Sequence, residues 1–405
     1  MYRVAITGIG IISCLGNTIE DVAKALYKGK SGIEIDPKRI ELGFKSPLTG
    51  IIKNFDPQKY LSKKQRKTMP LFAIQAYAAV EQALKQAKLD FKSIQNEKTG
   101  LIFGSDSTCA AAVQQVDLLR KFKETKMIGS GLVFQSMNST ITMNLNTILK
   151  TKGASWTISS ACSSGAHAIG QAFNLIALGQ QERVICGGAQ EIAWEAVCSF
   201  DALGAFSTKI NNPQGASRPF DANRDGLVPS GGAAALILEQ YDLAKQRGAK
   251  ILGEILSYSF SSDGNHLTIP QAEGLKRTME SCLKQANITP KDVNYICAHA
   301  TSTQAGDAVE AQAIKQVFEN YSPYVSSTKS MTGHELWMSG ASQIVYSTIM
   351  ANYEFIAPNI NFQTPDKYSQ ELNIAKETIE TKPNFVLCNA AGFGGTNASI
   401  LLRYF

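Results

Sequence analysis

Trp156-Thr157-Ile158-Ser159-Ser160-Ala161-Cys162-Ser163-Ser164-Gly165-Ala166-His167-Ala168-Ile169-Gly170 decides the reading of this chain. The stretch opens as a β-type run and turns through small residues. It continues with apolar residues at 169, 173, 176 and 177, a helical spacing that Gly179 is suited to close. Cys162 therefore falls at a strand-to-helix turn. Free backbone N–H groups and the helix dipole at such a turn favour a thiolate, so the position suits a nucleophile of lowered pKa. The small neighbours leave room for a substrate. A buried structural cysteine carries the same local signal, since cysteine is among the most buried residue types. The choice turns on whether distant histidines join it.

The chain has 405 residues, 44% hydrophobic and 18% charged, a globular composition long enough for one large core or two. No apolar run reaches the roughly 18 residues of a membrane-spanning helix. The start, Met1 to Gly8, reads as a strand and lacks the pattern of a signal peptide. Eight cysteines are scattered without a C-x-x-C pair, which fits a reduced, cytoplasmic protein. The net charge of +6 suits an acidic partner, or solubility alone.

Outward from the opening stretch, Arg3 to Ser13 reads as a buried strand broken by glycine, and Thr18 to Tyr27 as a capped helix. Gly8-Ile9-Gly10 lacks the third glycine of a dinucleotide fingerprint. Lys59 to Lys67 is the densest basic run, followed by an Ala-rich helix from Ala73 to Gln86 and a strand at Gly100–Gly104. Residues 105–150 carry no clear period. Val184–Ala189 and Gly231–Leu238 read as strands around an ordered loop at Asn211–Val228, and Leu243–Gln246 as a short helix. A second strand-rich cycle begins near Lys250, with strands at Tyr295–His299 and Val325–Thr328. Helices follow at Asp307–Phe318 and after Gly333, and two strands bracket a Gly-rich turn at 389–397. Strands alternating with helices mean an α/β layered fold in two similar passes that divide at 250.

The chain holds four histidines, 167, 266, 299 and 334. His299 ends a strand before Ala300-Thr301-Ser302-Thr303, and His334 closes Lys329-Ser330-Met331-Thr332-Gly333. Each is placed to reach a ligand, though imidazoles also serve in ordinary hydrogen-bond networks. His167 reads as packing or capping, and His266 as solvated. No H-x-x-x-H or H-E-x-x-H spacing joins the histidines to Asp307 or Glu310, so no metal is expected. Three glycines around Phe393 let the backbone of Gly392–Asn397 pass close to a reacting centre, where its N–H groups suit an oxyanion hole. A tight hairpin turn would read the same way.

Together, Ala161-Cys162-Ser163-Ser164-Gly165, His299-Ala300-Thr301-Ser302-Thr303, Lys329 to His334 and Gly392-Phe393-Gly394-Gly395-Thr396-Asn397 resemble the β-ketoacyl-acyl-carrier-protein synthases of the Cys-His-His type. The likeness runs from residue 3 to 403 and includes Phe200–Ser207 and Ser217–Asp221. It implies a thiolase-type five-layered αβαβα fold built from two βαβαβαββ halves, residues 1–250 carrying the nucleophile and 251–405 the two histidines. It implies Cys162 as nucleophile, an oxyanion site from the N–H groups of Cys162 and Phe393, and His299 and His334 as donors to a malonyl thioester. Lys329 and Glu310 match a charged support behind the histidines, Thr301 and Thr303 match holders of a phosphopantetheine arm, and Phe393 matches a gate. The partner implied is an acidic acyl-carrier protein, docked on Lys63, Lys64, Arg66 and Lys67 with Lys123 and Lys126 behind them. A solvated helix face is the plain alternative for that run. No cofactor, metal, nucleic acid or membrane span is implied. The assembly implied is a homodimer, or a heterodimer with a related non-catalytic subunit.

Three positions depart from the family pattern: Ala300 for a usual Gly, Glu335-Leu336-Trp337-Met338-Ser339-Gly340 for a run of small residues, and Ala391 for a common aromatic. They suggest a reshaped acyl tunnel and a polyunsaturated or aryl-primed substrate. Thiolase, which needs a second cysteine in a C-x-G near the C-terminus, is disfavoured because Cys388-Asn389-Ala390 does not supply one. A non-catalytic chain-length partner is disfavoured because Cys162 and both histidines are present.

Overall fold

The computed structural model describes all 405 residues. The apolar runs become strands buried on both faces, which is why they lack polar alternation: all nine residues of Val4–Ile12 are buried. The first pass supplies strands Val4–Ile12, Thr99–Gly104, Ser155–Ile158, Arg183–Gln190 and Gly232–Gln240. The second supplies Gly253–Ser262, Tyr295–Cys297, Tyr324–Ser326, Phe385–Gly392 and Thr396–Arg403. In space the strands of each pass run first, fifth, fourth, second, third. The repeat that direct sequence similarity does not show is thus explicit in the topology. The two first strands meet antiparallel, Val4 to Ile6 opposite Ile255 to Gly253, and join the passes into one 11-stranded sheet.

Alternation along each strand builds the layers. Ile102, Leu236 and Leu238 face a central core of 47 residues, whereas Leu101, Phe103 and Ile237 face a second core under helix Leu71–Gln86. In the other half Tyr295 and Cys297 face the same central core, and Ile296 turns outward under helices Ala272–Ala286 and Gln304–Phe318. Helices Ser164–Ala177 and Ser339–Asn352 fill the middle. The order is helix, sheet, helix, sheet, helix, the five-layered thiolase-type arrangement.

In both halves the middle helix follows the third strand. Their first turns touch: a Cβ on Gly165 would lie 2.9 Å from Ala341 N, and Ser339 Oγ donates to the Cys162 carbonyl at 3.3 Å. Residues 105–150, without a readable period, form helices Ala110–Phe122, Leu132–Gln135 and Thr140–Leu149. No helix is long and apolar enough to cross a membrane.

Candidate active site

The expected strand-to-helix turn is present. Strand Ser155–Ile158 ends and helix Ser164–Ala177 begins with Cys162 between them. The turn is folded by its own hydroxyls: Ser164 Oγ accepts from Ser160 N at 2.8 Å and donates to the Ala161 carbonyl at 2.6 Å. Ala161 takes a left-handed φ of 46°, costly for a residue with a Cβ, and its N–H is held by Asp106 Oδ2 at 3.1 Å. The Cys162 N–H makes no hydrogen bond within the protein, and neither does that of Phe393. Gly392 lies against this turn so closely that a Cβ there would sit 3.1 Å from Cys162 N. Two free donors thus stand at one thiol, the geometry an oxyanion needs.

The resting thiol differs from the sequence expectation of a lowered pKa. Burial pushes Cys162 up to about 12, with the Lys329 ammonium opposing and the Asp106 carboxylate reinforcing the rise. Cys162 is 6% exposed, and desolvation of the thiolate outweighs the helix terminus. Cys162 therefore rests as a thiol.

His299 and His334 come from two different turns of the second half. Their rings meet edge to face with centroids 5.2 Å apart. Burial lowers both imidazoles well below the usual range, and the nearby Lys329 charge lowers them further, so both are neutral. Each Nδ1 is buried without a partner, and both rings line the cavity that holds Cys162. Two carboxylates one helical turn apart fix the loop after His299. Glu310 accepts from the N–H of His299 at 3.0 Å and of Ala300 at 2.6 Å, and Asp307 accepts from Thr301 N at 2.9 Å and Ser302 N at 3.2 Å. Ser302 and Leu336, in the loops that follow His299 and His334, both take positive φ, 72° and 40°.

Lys329 is buried behind the pair. Its Nζ donates to Gln343 Oε1 at 3.1 Å rather than pairing directly with Glu310. Gln343 in turn donates to the carbonyls of Cys297, Ala298 and Asn389. The charged support expected of Lys329 and Glu310 is therefore indirect, acting through the field and a glutamine. Glu335, out of pattern in the sequence, is buried and accepts from Ser342 and from Tyr346 Oη, and burial pushes its carboxyl up to about 7.

A cavity of ≈ 250 Å³ brings together Cys162, His299, His334, Phe393, Thr301 and Thr303. The two threonine hydroxyls lie 3.0 Å apart. Phe393 is stacked on Phe200 at 5.9 Å, and Phe200 on Phe206 at 6.3 Å. Ala391 lines the cavity, while Trp337 is buried in the apolar cluster with Cys162, its ring 6.3 Å from that of Phe200. His266 is exposed, as expected, and also lines the cavity. Lys63, Lys64, Arg66 and Lys67 do not: helix Lys63–Arg66 lies on the surface, and Lys67 abuts the 131–135 segment through a bond from Gln135. Of the cations behind them, Lys126 is paired with Glu124 at 2.6 Å. Asp307, Gln343 and Asn389 were not singled out as site residues by sequence. The one available signal was the spacing of Asp307 and Glu310 on one helix face.

A buried thiol with two free N–H groups on the turns around it, in one cavity with two neutral imidazoles on a repeated frame, fits a condensing enzyme of the thiolase fold. The chain matches "Beta-ketoacyl synthase, N-terminal domain" over residues 1–244 and "Beta-ketoacyl synthase, C-terminal domain" over residues 252–363. It is 42% identical to 3-oxoacyl-[acyl-carrier-protein] synthase 1 of Haemophilus influenzae, covering 100% of this chain and 99% of that protein. Among solved structures, a β-ketoacyl synthase from Burkholderia phymatum STM815 superposes with a TM-score of 0.95 at 33% identity, covering 100% of both chains. A type II PKS ketosynthase solved with its acyl-carrier protein gives a TM-score of 0.89 at 28% identity, covering 100% of this chain and 99% of that one. The chain belongs to the β-ketoacyl synthase family.

Proposed function

We propose that Cys162, in residues 1–250, carries the acyl group and that His299 and His334, in residues 251–405, carry decarboxylation, within the activity of a β-ketoacyl-acyl-carrier-protein synthase of fatty-acid synthesis. The observation that carries this reading is the pair of unpaired N–H groups at Cys162 in one cavity with two neutral imidazoles.

In the first half-reaction Cys162 Sγ attacks the carbonyl of a carrier-bound acyl thioester. The N–H groups of Cys162 and Phe393 hold the oxyanion. The bond to the carrier's sulfur breaks, and the proton of the Cys162 thiol ends on that leaving sulfur. Because the resting group is a thiol, proton removal accompanies attack, and a neutral imidazole in the same cavity is the available acceptor. In the second half-reaction malonyl-carrier protein occupies the cavity, its arm along Thr301 and Thr303. His299 and His334 donate to the thioester oxygen. The malonyl C–C bond breaks, CO2 leaves, and the electron pair remains as an enolate stabilised by the two donors. The enolate carbon attacks the acyl-Cys162 carbonyl, the C–S bond breaks, and the thiolate takes a proton from solvent. Burial, reinforced by the Lys329 charge, keeps both imidazoles neutral, and thus ready to donate without becoming general acids, while Glu310 holds the His299 backbone. The reaction as drawn requires no metal or redox cofactor.

The partner in this reading is an acyl-carrier protein, met by the unpaired cations Lys63, Lys64 and Lys67 together with Arg66. The assembly is a dimer. Strand Ser155–Ile158 ends the sheet with Trp156 44% exposed, and helix Ala110–Phe122 leaves Val113, Val116, Leu119 and Phe122 largely exposed. An open strand edge and an apolar helix face call for a second subunit. That subunit is a second copy, with a related non-catalytic chain as the other outcome of a subunit-mass measurement.

Intact mass after incubation with acyl-carrier proteins bearing saturated, unsaturated and aryl chains tests the reading. A gain equal to the acyl group, absent in Cys162→Ala, is expected. No gain with any chain contradicts it.

A further inference from the structure

His167 stands on the helix after the nucleophile, and the mechanism above does not use it. Its ring is not merely packed. Nδ1 lies 2.6 Å from Tyr258 Oη and Nε2 lies 2.9 Å from Thr396 Oγ1. Thr396 Oγ1 lies a further 2.9 Å from Ser160 Oγ. Burial lowers the imidazole to about 4, so it is neutral, with one donor and one acceptor nitrogen. With Tyr258 donating to Nδ1, Nε2–H donates to Thr396 and Thr396 to Ser160; the reversed relay pairs the same groups, so either tautomer keeps the chain intact. Edge-to-face contacts with Tyr258 at 82° and Phe260 at 71° fix the ring plane.

Thr396 is gripped twice from one helix face. Ser163 Oγ donates to its carbonyl at 2.9 Å while His167 Nε2 holds its hydroxyl, and residues 163 and 167 are four apart, one above the other on the helix. Thr396 ends the short turn that carries Phe393, which Gly395 N closes onto the Gly392 carbonyl at 3.1 Å. Both ends of that turn are therefore tied to the Cys162 turn, Gly392 by close approach to Cys162 N and Thr396 by the Ser160–Ser163–His167 grip.

We propose that His167 is a positioning residue for acyl transfer: through Thr396 it locks the Phe393 turn onto the Cys162 turn and so aligns the two N–H donors of the oxyanion site. The proposal rests on the reading of that site given above. It separates the half-reactions, because the His299 N–H is held by Glu310 and the His334 backbone by the Val228 carbonyl at 2.6 Å and Ser230 N at 2.9 Å, and neither by this chain of hydroxyls.

The test compares His167→Phe and Thr396→Val with wild type and with Thr396→Ser, which keeps the hydroxyl. Two rates are read: acyl loading of Cys162 by intact mass, and CO2 release from malonyl-carrier protein. His167→Phe and Thr396→Val should slow acyl loading by about 10²-fold, as sub-ångström loss of alignment does. CO2 release should stay at the wild-type rate, and Thr396→Ser should load acyl groups normally. A parallel fall in both rates would show a general structural role and overturn the proposal, as would unchanged loading in both variants. Wild type that loads no acyl group would instead overturn the reading of the site itself.

Discussion

The turn at Cys162 and the turn at His334 begin corresponding helices in the two halves, yet they do opposite work. The first is made of alanine, serine and glycine and leaves its backbone N–H open for a substrate oxygen. The second is packed around by Lys329, Glu335, Trp337 and Met338, and offers a side chain instead of its backbone. The ends of the second strands differ in the same sense. In the first half Asp106 turns back to hold the nucleophile's turn, whereas in the second His299 faces the cavity with a glutamate beneath its backbone. The repeated topology sets two corresponding strand-to-helix turns against each other in the central layer. One is built of small residues and the other is surrounded by titratable ones, which is why the proposed reading divides the chemistry between them.

The largest effect that would break the comparison concerns protonation. If Cys162 rests as a thiol with a pKa of about 12, its alkylation by iodoacetamide should rise about tenfold per pH unit between neutrality and pH 10 without a plateau. A plateau below pH 8 would mean that the helix terminus wins over burial after all. On the second turn, Glu310→Ala leaves the buried N–H groups of His299 and Ala300 without an acceptor and should cost about 2–4 kcal/mol in denaturant unfolding. Glu310→Gln keeps one acceptor oxygen and should cost about half as much. Trp337→Gly opens the wall beside Phe200 and should raise loading of long saturated chains about tenfold over short or aryl ones. An unchanged preference would remove Trp337 from the tunnel. The smallest effect lies at the surface: Lys63→Glu with Lys64→Glu should raise KM for carrier-linked substrate about threefold at low salt and leave a small thioester analogue unaffected. Equal losses with both substrates would end the docking assignment.

What the sequence made legible follows from locality. The nucleophile turn, the two histidine loops and the Gly-rich hairpin are each contiguous, so residue types and spacing identify them, and all four meet at one cavity. The strands were readable because burial on both faces leaves unbroken apolar runs, as in Val4–Ile12. Residues 105–150 were not, because helix Ala110–Phe122 buries only Ala111 and leaves Val113, Val116, Leu119 and Phe122 largely exposed, so no core-facing stripe marks it. His167 looked like a packing residue because its partners are 91 and 229 residues away. The Cys162 turn was read correctly in place and wrongly in charge. Local sequence announces a helix terminus, but the desolvation that opposes it comes from Leu336, Trp337, Phe206 and Leu227, far along the chain.

In the proposed reading Cys162 carries the acyl group, and His299 and His334 carry decarboxylation. Measuring both rates, acyl loading by intact mass and CO2 release from malonyl-carrier protein, in Cys162→Ala and in His334→Ala decides it most directly. The account predicts that Cys162→Ala loads nothing and still releases CO2, while His334→Ala loads acyl groups and loses CO2 release by about 10²-fold or more. Loss of both rates in each variant would contradict the division and make the two turns a single catalytic unit.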